Sequence, residues 1–254
     1  MSTYIKNEFK RVFFSKNSLI VFLLTIILFN IAFYQGFGII TNQLKELCNA
    51  LDIFIFAREE GVGLLAPLLA SFIFSDSYLL DYESKFLNFI YLRISKRKYV
   101  LTKILVNAIV SGIIVVLAYC VIFGGLVILF GLKKTTLYPV TGPFSSIFYK
   151  SKILYFVLLL IVSFIFNVIF ATFSLGLSPW IKNRYLTILS SFFYYILSAT
   201  LLNYIGTIKL DSTILFNLNP AVSELNIILY QVILLTLGVL LFYFGVLWKN
   251  EKNN

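Results

Sequence analysis

The sequence contains no histidine. Intramembrane Ser-His proteases, glutamate-type CAAX proteases, HExxH metalloproteases and histidine-dependent acyltransferases all need this residue, so these enzyme classes are excluded. The chain also lacks the GxxxxGK[ST] motif with which a P-loop binds nucleotide. We therefore expect that the chain is not an enzyme, and that a nucleotide-driven function would require ATP hydrolysis on another polypeptide.

Cysteine is nearly absent as well. The two that are present, Cys48 and Cys120, fall in a predicted loop and deep in a long apolar segment, so they are not expected to meet. Two isolated cysteines cannot build a zinc or iron–sulfur site. No disulfide framework, metal site or cofactor is predicted.

Charge is scarce, because only 13% of the residues are charged while 60% are hydrophobic, and the mean hydropathy is +0.93. A soluble domain has about a quarter charged residues, so the composition indicates an integral membrane protein. Crossing a hydrocarbon core of about 30 Å takes roughly 20 helical residues. Six apolar segments are long enough, at residues 19–40, 61–80, 104–130, 153–179, 186–206 and 226–248. These continuous runs exclude a barrel of alternating strands. The predicted fold is an all-α integral membrane protein with one transmembrane domain over residues 1–254.

The distribution of the 21 Lys and Arg residues predicts how the chain is oriented. Fourteen fall in the N-terminal arm, the second and fourth loops and the C-terminal tail, and seven fall on the other side. Cytoplasmic loops carry the excess of basic residues, so both termini are predicted to be cytoplasmic. The net charge of +10 is then a signal of topology, and nucleic-acid binding is not predicted.

Residues 3–14 form a pattern typical of a basic amphipathic helix. Ile5, Phe9 and Val12 fall on one side, and Lys6 and Lys10 fall on the other. Such a helix is expected to lie in the membrane interface, in contact with lipid.

The segment 81–103 is the densest charge block between two apolar segments. Phe86, Phe89, Ile90 and Arg93 recur at i, i+3, i+4 and i+7, which predicts a short helix from about Tyr82 to Leu92. This helix could dock on a soluble partner. In the alternative interpretation the segment is a solvated loop whose cations only fix topology.

The second apolar segment and the loop before it contain further signals. Pro67 predicts a kink, and Asp76 either pairs with a cation or reaches water. A short surface helix is expected in the loop at residues 41–60.

Two apolar segments carry small polar faces. The residues are Ser163, Asn167 and Ser174 in the fourth segment and Ser191, Tyr195 and Ser198 in the fifth. Polar side chains within a bilayer either line a path through the protein or form hydrogen bonds between packed helices. The sequence leaves both interpretations open.

Together these features resemble the ABC-2 type permease family, the membrane subunits of ABC exporters. The resemblance covers nearly the whole chain: the arm YIKNEFKRVFF, six spans with both ends inside, the segment FSDSYLLDYESKFLNFIYLRISKRKYVLTKIL, and the ending NPAVSELNIILYQVILLTLGVLLFYFG. Its second-loop segment is similar to the family pattern in which an acidic residue, Glu83, begins a short coupling helix. A Ser-basic turn at Ser95–Arg97 then leads to Tyr99 and Lys103.

The resemblance implies a half-transporter. Two such chains, identical or different, would lie side by side in a bacterial plasma membrane. Each would rest on a separate ABC ATPase subunit, contacted through Glu83, Phe86, Phe89, Ile90 and Arg93. The composition, rich in Phe, Lys and Asn, is similar to that of low-GC Gram-positive bacteria, and the cargo implied is an amphipathic peptide such as a phenol-soluble modulin or a bacteriocin.

A non-transporting membrane protein is the competing hypothesis, either a bacteriocin immunity factor or a protein that sequesters peptide by binding alone. Secondary transport would require paired acidic residues buried in mid-span, and the sequence shows none.

Overall fold

The computed structural model describes residues 2–38, 40, 48–133, 140–202, 204–206, 210–218 and 222–251, and these residues contain helices and no β-strand. The all-helical part of the predicted fold is thereby confirmed. The helices are α1 (Ser2–Phe13), α2 (Lys16–Phe37), α3 (Ala50–Ala57), α4 (Ala66–Phe72), α5 (Ser77–Glu83), α6 (Phe86–Arg93), α7 (Lys96–Phe130), α8 (Ser145–Lys150), α9 (Lys152–Leu177), α10 (Arg184–Leu197), α11 (Ile214–Asn217) and α12 (Glu224–Glu251). Single π-helical turns extend α3 over Arg58–Val62 and α10 over Ser198–Leu202.

Within the described residues, five helices are long and apolar enough to cross a membrane: α2, α7, α9, α10 with its π-helical extension, and α12. They coincide with five of the six predicted segments. A sixth crossing exists only if the bent pair Ala50–Val62 and Ala66–Glu83 is one span.

The second predicted segment differs most from the structure. We expected one span over residues 61–80, but the helical chain starts at Ala50 and bends by 72° after Val62. Pro67 lies in the first turn of α4, where its missing N–H breaks no helical hydrogen bond, so the predicted kink coincides with this break. Gly61 permits close contact with α2, since a Cβ there would lie 2.6 Å from the Leu28 carbonyl oxygen.

The surface helix expected within residues 41–60 is also corrected. Residues 41–47 lie outside the described residues, and the remainder forms α3, in which Leu51 and Phe54 are fully buried. The Phe54 ring contacts those of Phe29, Phe123 and Phe156 at centroid distances of 5.2–5.7 Å. Burial of this aromatic cluster draws α3 into the helix bundle, because a large apolar ring gains more from packing than from solvent exposure.

Helix α7 starts eight residues before the predicted span. Its 35 residues extend about 52 Å at roughly 1.5 Å per residue, which exceeds a core of about 30 Å. Helix α7 is therefore longer than the hydrocarbon core is thick, and its N-terminal turns carry the charged residues that organise this end of the molecule.

Helices α9 and α12 approach each other through two glycines. A Cβ on Gly176 would lie 2.5 Å from the Gly238 carbonyl oxygen, a separation that a real Cβ cannot adopt. Small residues allow helix backbones to pack this closely in membranes. The absence of side chains at these two positions thus sets the distance between α9 and α12.

We predict that Gly176→Ala lowers the free energy of unfolding by roughly 1–3 kcal/mol, because the added methyl group forces the helices apart. The measurement is the thermal unfolding midpoint of the detergent-purified protein. Gly124→Ala is the matched control, since a Cβ there meets nothing within 4 Å. Equal midpoints for the two variants would contradict the proposed close contact.

Candidate functional site

The short helix predicted from about Tyr82 to Leu92 is divided between two helices, the end of α5 and α6. Glu83 is the last residue of α5 and not the first residue of the docking helix, which corrects the prediction. A turn separates the helices, and in it Lys85 adopts a left-handed conformation with φ 58°. This conformation interrupts the helix, and α6 begins at Phe86.

Helix α6 divides the predicted docking residues between two faces. Phe86 and Phe89 are 51% and 63% exposed, and Arg93 is exposed beside them. Ile90, in contrast, is only 7% exposed and packs with Leu87 in a buried apolar cluster. Ile90 is therefore not part of the exposed face, because the helical repeat places it with the inward residues that hold α6 on the protein.

Helix α1 lies close to α6 and completes a groove with it. Tyr4 of α1 and the residues of α6 line a cavity of about 420 Å³, of which Phe89 and Arg93 form part. The lining is mostly apolar with one cation. Burial, and then the nearby Glu8 carboxylate, raise the pKa of Tyr4. The groove can accept an apolar segment that carries an acidic group.

A buried ionic network holds α1, α5 and α7 together. The Lys103 side chain is fully buried, with its Nζ 2.8 Å from Asp81 Oδ2 and 3.8 Å from Glu8 Oε2. The Tyr99 hydroxyl donates a hydrogen bond of 2.8 Å to the same Asp81 oxygen. Arg11 Nη2 lies 2.9 Å from Glu8 Oε2. Two carboxylates thus balance two cations, as a buried charge requires.

The aromatic surroundings of this network add to its cohesion. Lys103 Nζ lies 4.6 Å from the ring centroid of Phe74, and the Arg11 guanidinium lies 5.9 Å from the same ring. Sequence reasoning missed the network because Lys103 was counted as a loop cation. Two signals were present: Glu8 is the one acidic residue of a basic helix, and Tyr99 and Lys103 share a face at i and i+4.

The predicted polar face of the fourth segment lies inside the bundle on α9. Ser163 is buried and accepts a hydrogen bond from Arg58 Nε, at 3.1 Å. Asn167 Nδ2 donates to the Ser163 carbonyl oxygen at 2.7 Å. Ser174 Oγ donates to the carbonyl oxygen of Thr187 on α10.

The polar face of α10 is buried too. Ser191 Oγ donates to the Pro67 carbonyl oxygen at 3.1 Å, and Ser198 Oγ donates to Ser212 Oγ at 2.6 Å. Tyr195 is 3% exposed. In this conformation Ser163, Ser174, Ser191 and Ser198 form hydrogen bonds between packed segments, while the Asn167 side chain bonds within α9. The serine contacts fit the hydrogen-bonding interpretation. Their lining of a path stays a prediction.

An unpredicted arginine lies where the second segment breaks. Arg58 is fully buried, and its Nη2 donates to the Phe216 carbonyl oxygen at 2.9 Å. Its guanidinium also lies 3.9 Å from the Phe216 ring centroid. Together with the contact to Ser163, these interactions tie the π-helical turn to α9 and α11.

Asp76 forms an ion pair with a cation, one of its two predicted roles. Arg184 donates to Asp76 Oδ2 from Nε at 3.1 Å and from Nη2 at 2.9 Å, joining the α4–α5 connection to the start of α10.

The count of basic residues that predicted the topology included Arg58 and Lys103 as loop residues on opposite sides. Both are buried in the protein, and without them the count is thirteen against six.

No family model matches the chain, and comparison with curated proteins and with solved structures found no match either.

We predict that Lys103→Met destabilises the protein by about 3–5 kcal/mol, because it leaves the Asp81 carboxylate buried without its cation, while Glu8 keeps only Arg11. The thermal unfolding midpoint in detergent should fall accordingly. Adding Asp81→Asn should restore much of the loss, since the excess negative charge is removed and Tyr99 keeps an acceptor. Lys98→Met, at an exposed position, is the control. A midpoint that is unchanged in Lys103→Met would refute the network.

Proposed function

We propose that the chain is the membrane subunit of an ATP-driven exporter of the ABC-2 type, with ATP hydrolysis on a separate subunit. The observation that carries this proposal is the exposed aromatic pair Phe86 and Phe89 on a short helix that is itself fixed to the membrane-spanning bundle. Large exposed aromatic side chains beside a groove are typical of sites where a partner protein anchors.

The connection of α6 to the bundle is suited to transmit motion. Ile90 and Leu87 pack on Tyr99 and Val100 near the start of α7, and Lys103 binds Asp81 at the end of the preceding helix α5. A displacement of α6 by a closing ATPase would therefore move the N-terminal end of the 35-residue helix α7. Rigid, packed elements are the physical means by which such displacements reach a distant site.

This proposal places α6, the N-terminus and the C-terminus in the cytoplasm of a bacterium whose plasma membrane the chain spans. The remaining excess of thirteen cations against six supports that orientation. It also requires the bent pair Ala50–Val62 and Ala66–Glu83 to cross as one span. The chain then crosses six times, and an even number of crossings puts both termini on the same side of the membrane.

The cargo proposed is an amphipathic peptide, moved by a pair of such chains. The polar faces of α9 and α10 are closed in this conformation, with residues such as Ser163 and Ser191 bonded to neighbouring segments. Transport along them would require these interhelical hydrogen bonds to open. Each is worth about 1 kcal/mol, so opening a few is within reach of ATP-driven conformational change.

The proposed function predicts that Phe89→Ala weakens binding of the ATPase subunit, because truncation of an aromatic anchor commonly costs about 2 kcal/mol or more, or roughly 30-fold in affinity. The measurement is recovery of the ATPase with the tagged membrane subunit at matched expression, together with peptide-stimulated ATP hydrolysis. Both should fall while membrane insertion is unchanged.

Arg97→Gln is the control, since it removes an exposed cation of the same end, and exposed ion pairs contribute only about 0–1 kcal/mol. Undiminished recovery with Phe89→Ala would overturn the role of α6. If the unmodified chain recovers no ATPase but still protects cells from a peptide, the chain acts by binding alone.

A further inference from the structure

The charged side chains of α1 lie on different faces of the helix, and its exposed face is basic. Lys6 and Lys10 are one turn apart and exposed, and Lys16 is exposed at the start of α2. The only acidic residue of α1, Glu8, turns inward to Arg11 and Lys103. Among the described residues no carboxylate pairs with these three lysines, so their charges face outward uncompensated.

The same surface continues into large apolar side chains. Phe14 is 76% exposed in the turn between α1 and α2, and Leu19 is 62% exposed in the first turns of α2. Because α2 is long and apolar enough to span the membrane, its first exposed apolar residues are expected to meet the acyl chains. Lys16 comes three residues before Leu19, and α1 with Lys6 and Lys10 ends just before α2 begins, so these lysines are expected near the phospholipid headgroups.

The apolar face of α1 does not itself enter the lipid. Val12 is 2% exposed, and Phe9 and Phe13 pack against the protein core. The structure therefore fixes α1 on the bundle by its apolar face and by Glu8, and leaves its basic face as the surface in contact with the surroundings.

We propose that Lys6, Lys10 and Lys16 form a binding surface for the headgroups of anionic phospholipids. Charge complementarity favours an anion, and the adjoining Phe14 and Leu19 favour a lipid over a soluble acidic protein, since a soluble partner would leave these side chains uncovered. The inference does not depend on an ATPase, because it concerns the membrane subunit alone.

The test uses the full chain in detergent micelles with equal amounts of phosphatidylglycerol and phosphatidylcholine, and native mass spectrometry reports the ratio of the bound lipids. The unmodified chain should retain phosphatidylglycerol preferentially. In the variant Lys6→Gln/Lys10→Gln/Lys16→Gln the preference should fall by about fivefold for each charge removed. Raising the salt from about 0.1 M to about 1 M should weaken the preference of the unmodified chain, since the screening length falls from about 10 Å to about 3 Å.

Two further variants separate this surface from general electrostatics. Lys96→Gln/Arg97→Gln/Lys98→Gln removes the same number of charges from the first turn of α7, and it should keep the preference. The arginine variant Lys6→Arg/Lys10→Arg/Lys16→Arg should keep it as well. An unchanged thermal midpoint of the glutamine variant shows that its fold is intact. The proposal is overturned if the unmodified chain shows no preference for phosphatidylglycerol, or if the α1 and α7 glutamine variants lose it equally.

Discussion

The burial of Lys103 is the constraint on which the arrangement of one end of this protein depends. A fully buried ammonium group is stable only with its countercharges beside it, and here they come from two other elements, Asp81 of α5 and Glu8 of α1. The positions of α1 and α5 therefore follow from a charge on α7. Because the nearer pair is Asp81 with Lys103, α5 is held more tightly to Lys103 than α1 is.

The same principle operates at the break in the second segment. Arg58 is buried in a bundle of apolar helices. Its Nε and Nη2 donate to Ser163 and to the Phe216 carbonyl oxygen, its guanidinium lies over the Phe216 ring, and its Nη1 makes no hydrogen bond but lies 3.9 Å from the Glu59 carboxylate. These partners lie on α9 and α11, so one arginine gathers elements that are far apart in sequence. A π-helical turn at this point is consistent with a helix adjusted to place one side chain. The molecule thus uses one buried cation near each of two breaks in its regular helices.

The sequence predicts the apolar helices well, because a run of about 20 apolar residues has few alternatives in a membrane. It predicts a break near Pro67 for a similar reason, since proline restricts the backbone wherever it occurs.

The sequence does not predict that residues 50–62 fold inward, because their burial depends on rings such as Phe29 and Phe156 that lie elsewhere in the chain. For the docking helix, the prediction placed one residue too many on the exposed face, because Ile90 is buried while Phe86 and Phe89 are exposed. Helical spacing placed Ile90 beside Phe86, but only the packing of Leu87 and Ile90 on α7 decides which of them face inward. The partners of Lys103 and Arg58 could not be predicted from the sequence for the same reason, since pairs so distant in sequence leave no local pattern.

The central claim is that the charge network fixes α1 and α5 to α7 as one body. Helix α6 directly follows α5 and packs in the same apolar cluster as the start of α7, so a distance between the short helices α1 and α6 tests this claim most directly. Spin labels on cysteines introduced at the exposed positions Asn7 and Asn88, in a chain without Cys48 and Cys120, would report that distance by pulsed electron paramagnetic resonance in lipid. We expect one narrow distance distribution in the otherwise unmodified chain, and a broad one after Lys103→Met. A narrow distribution that Lys103→Met leaves unchanged would contradict the claim.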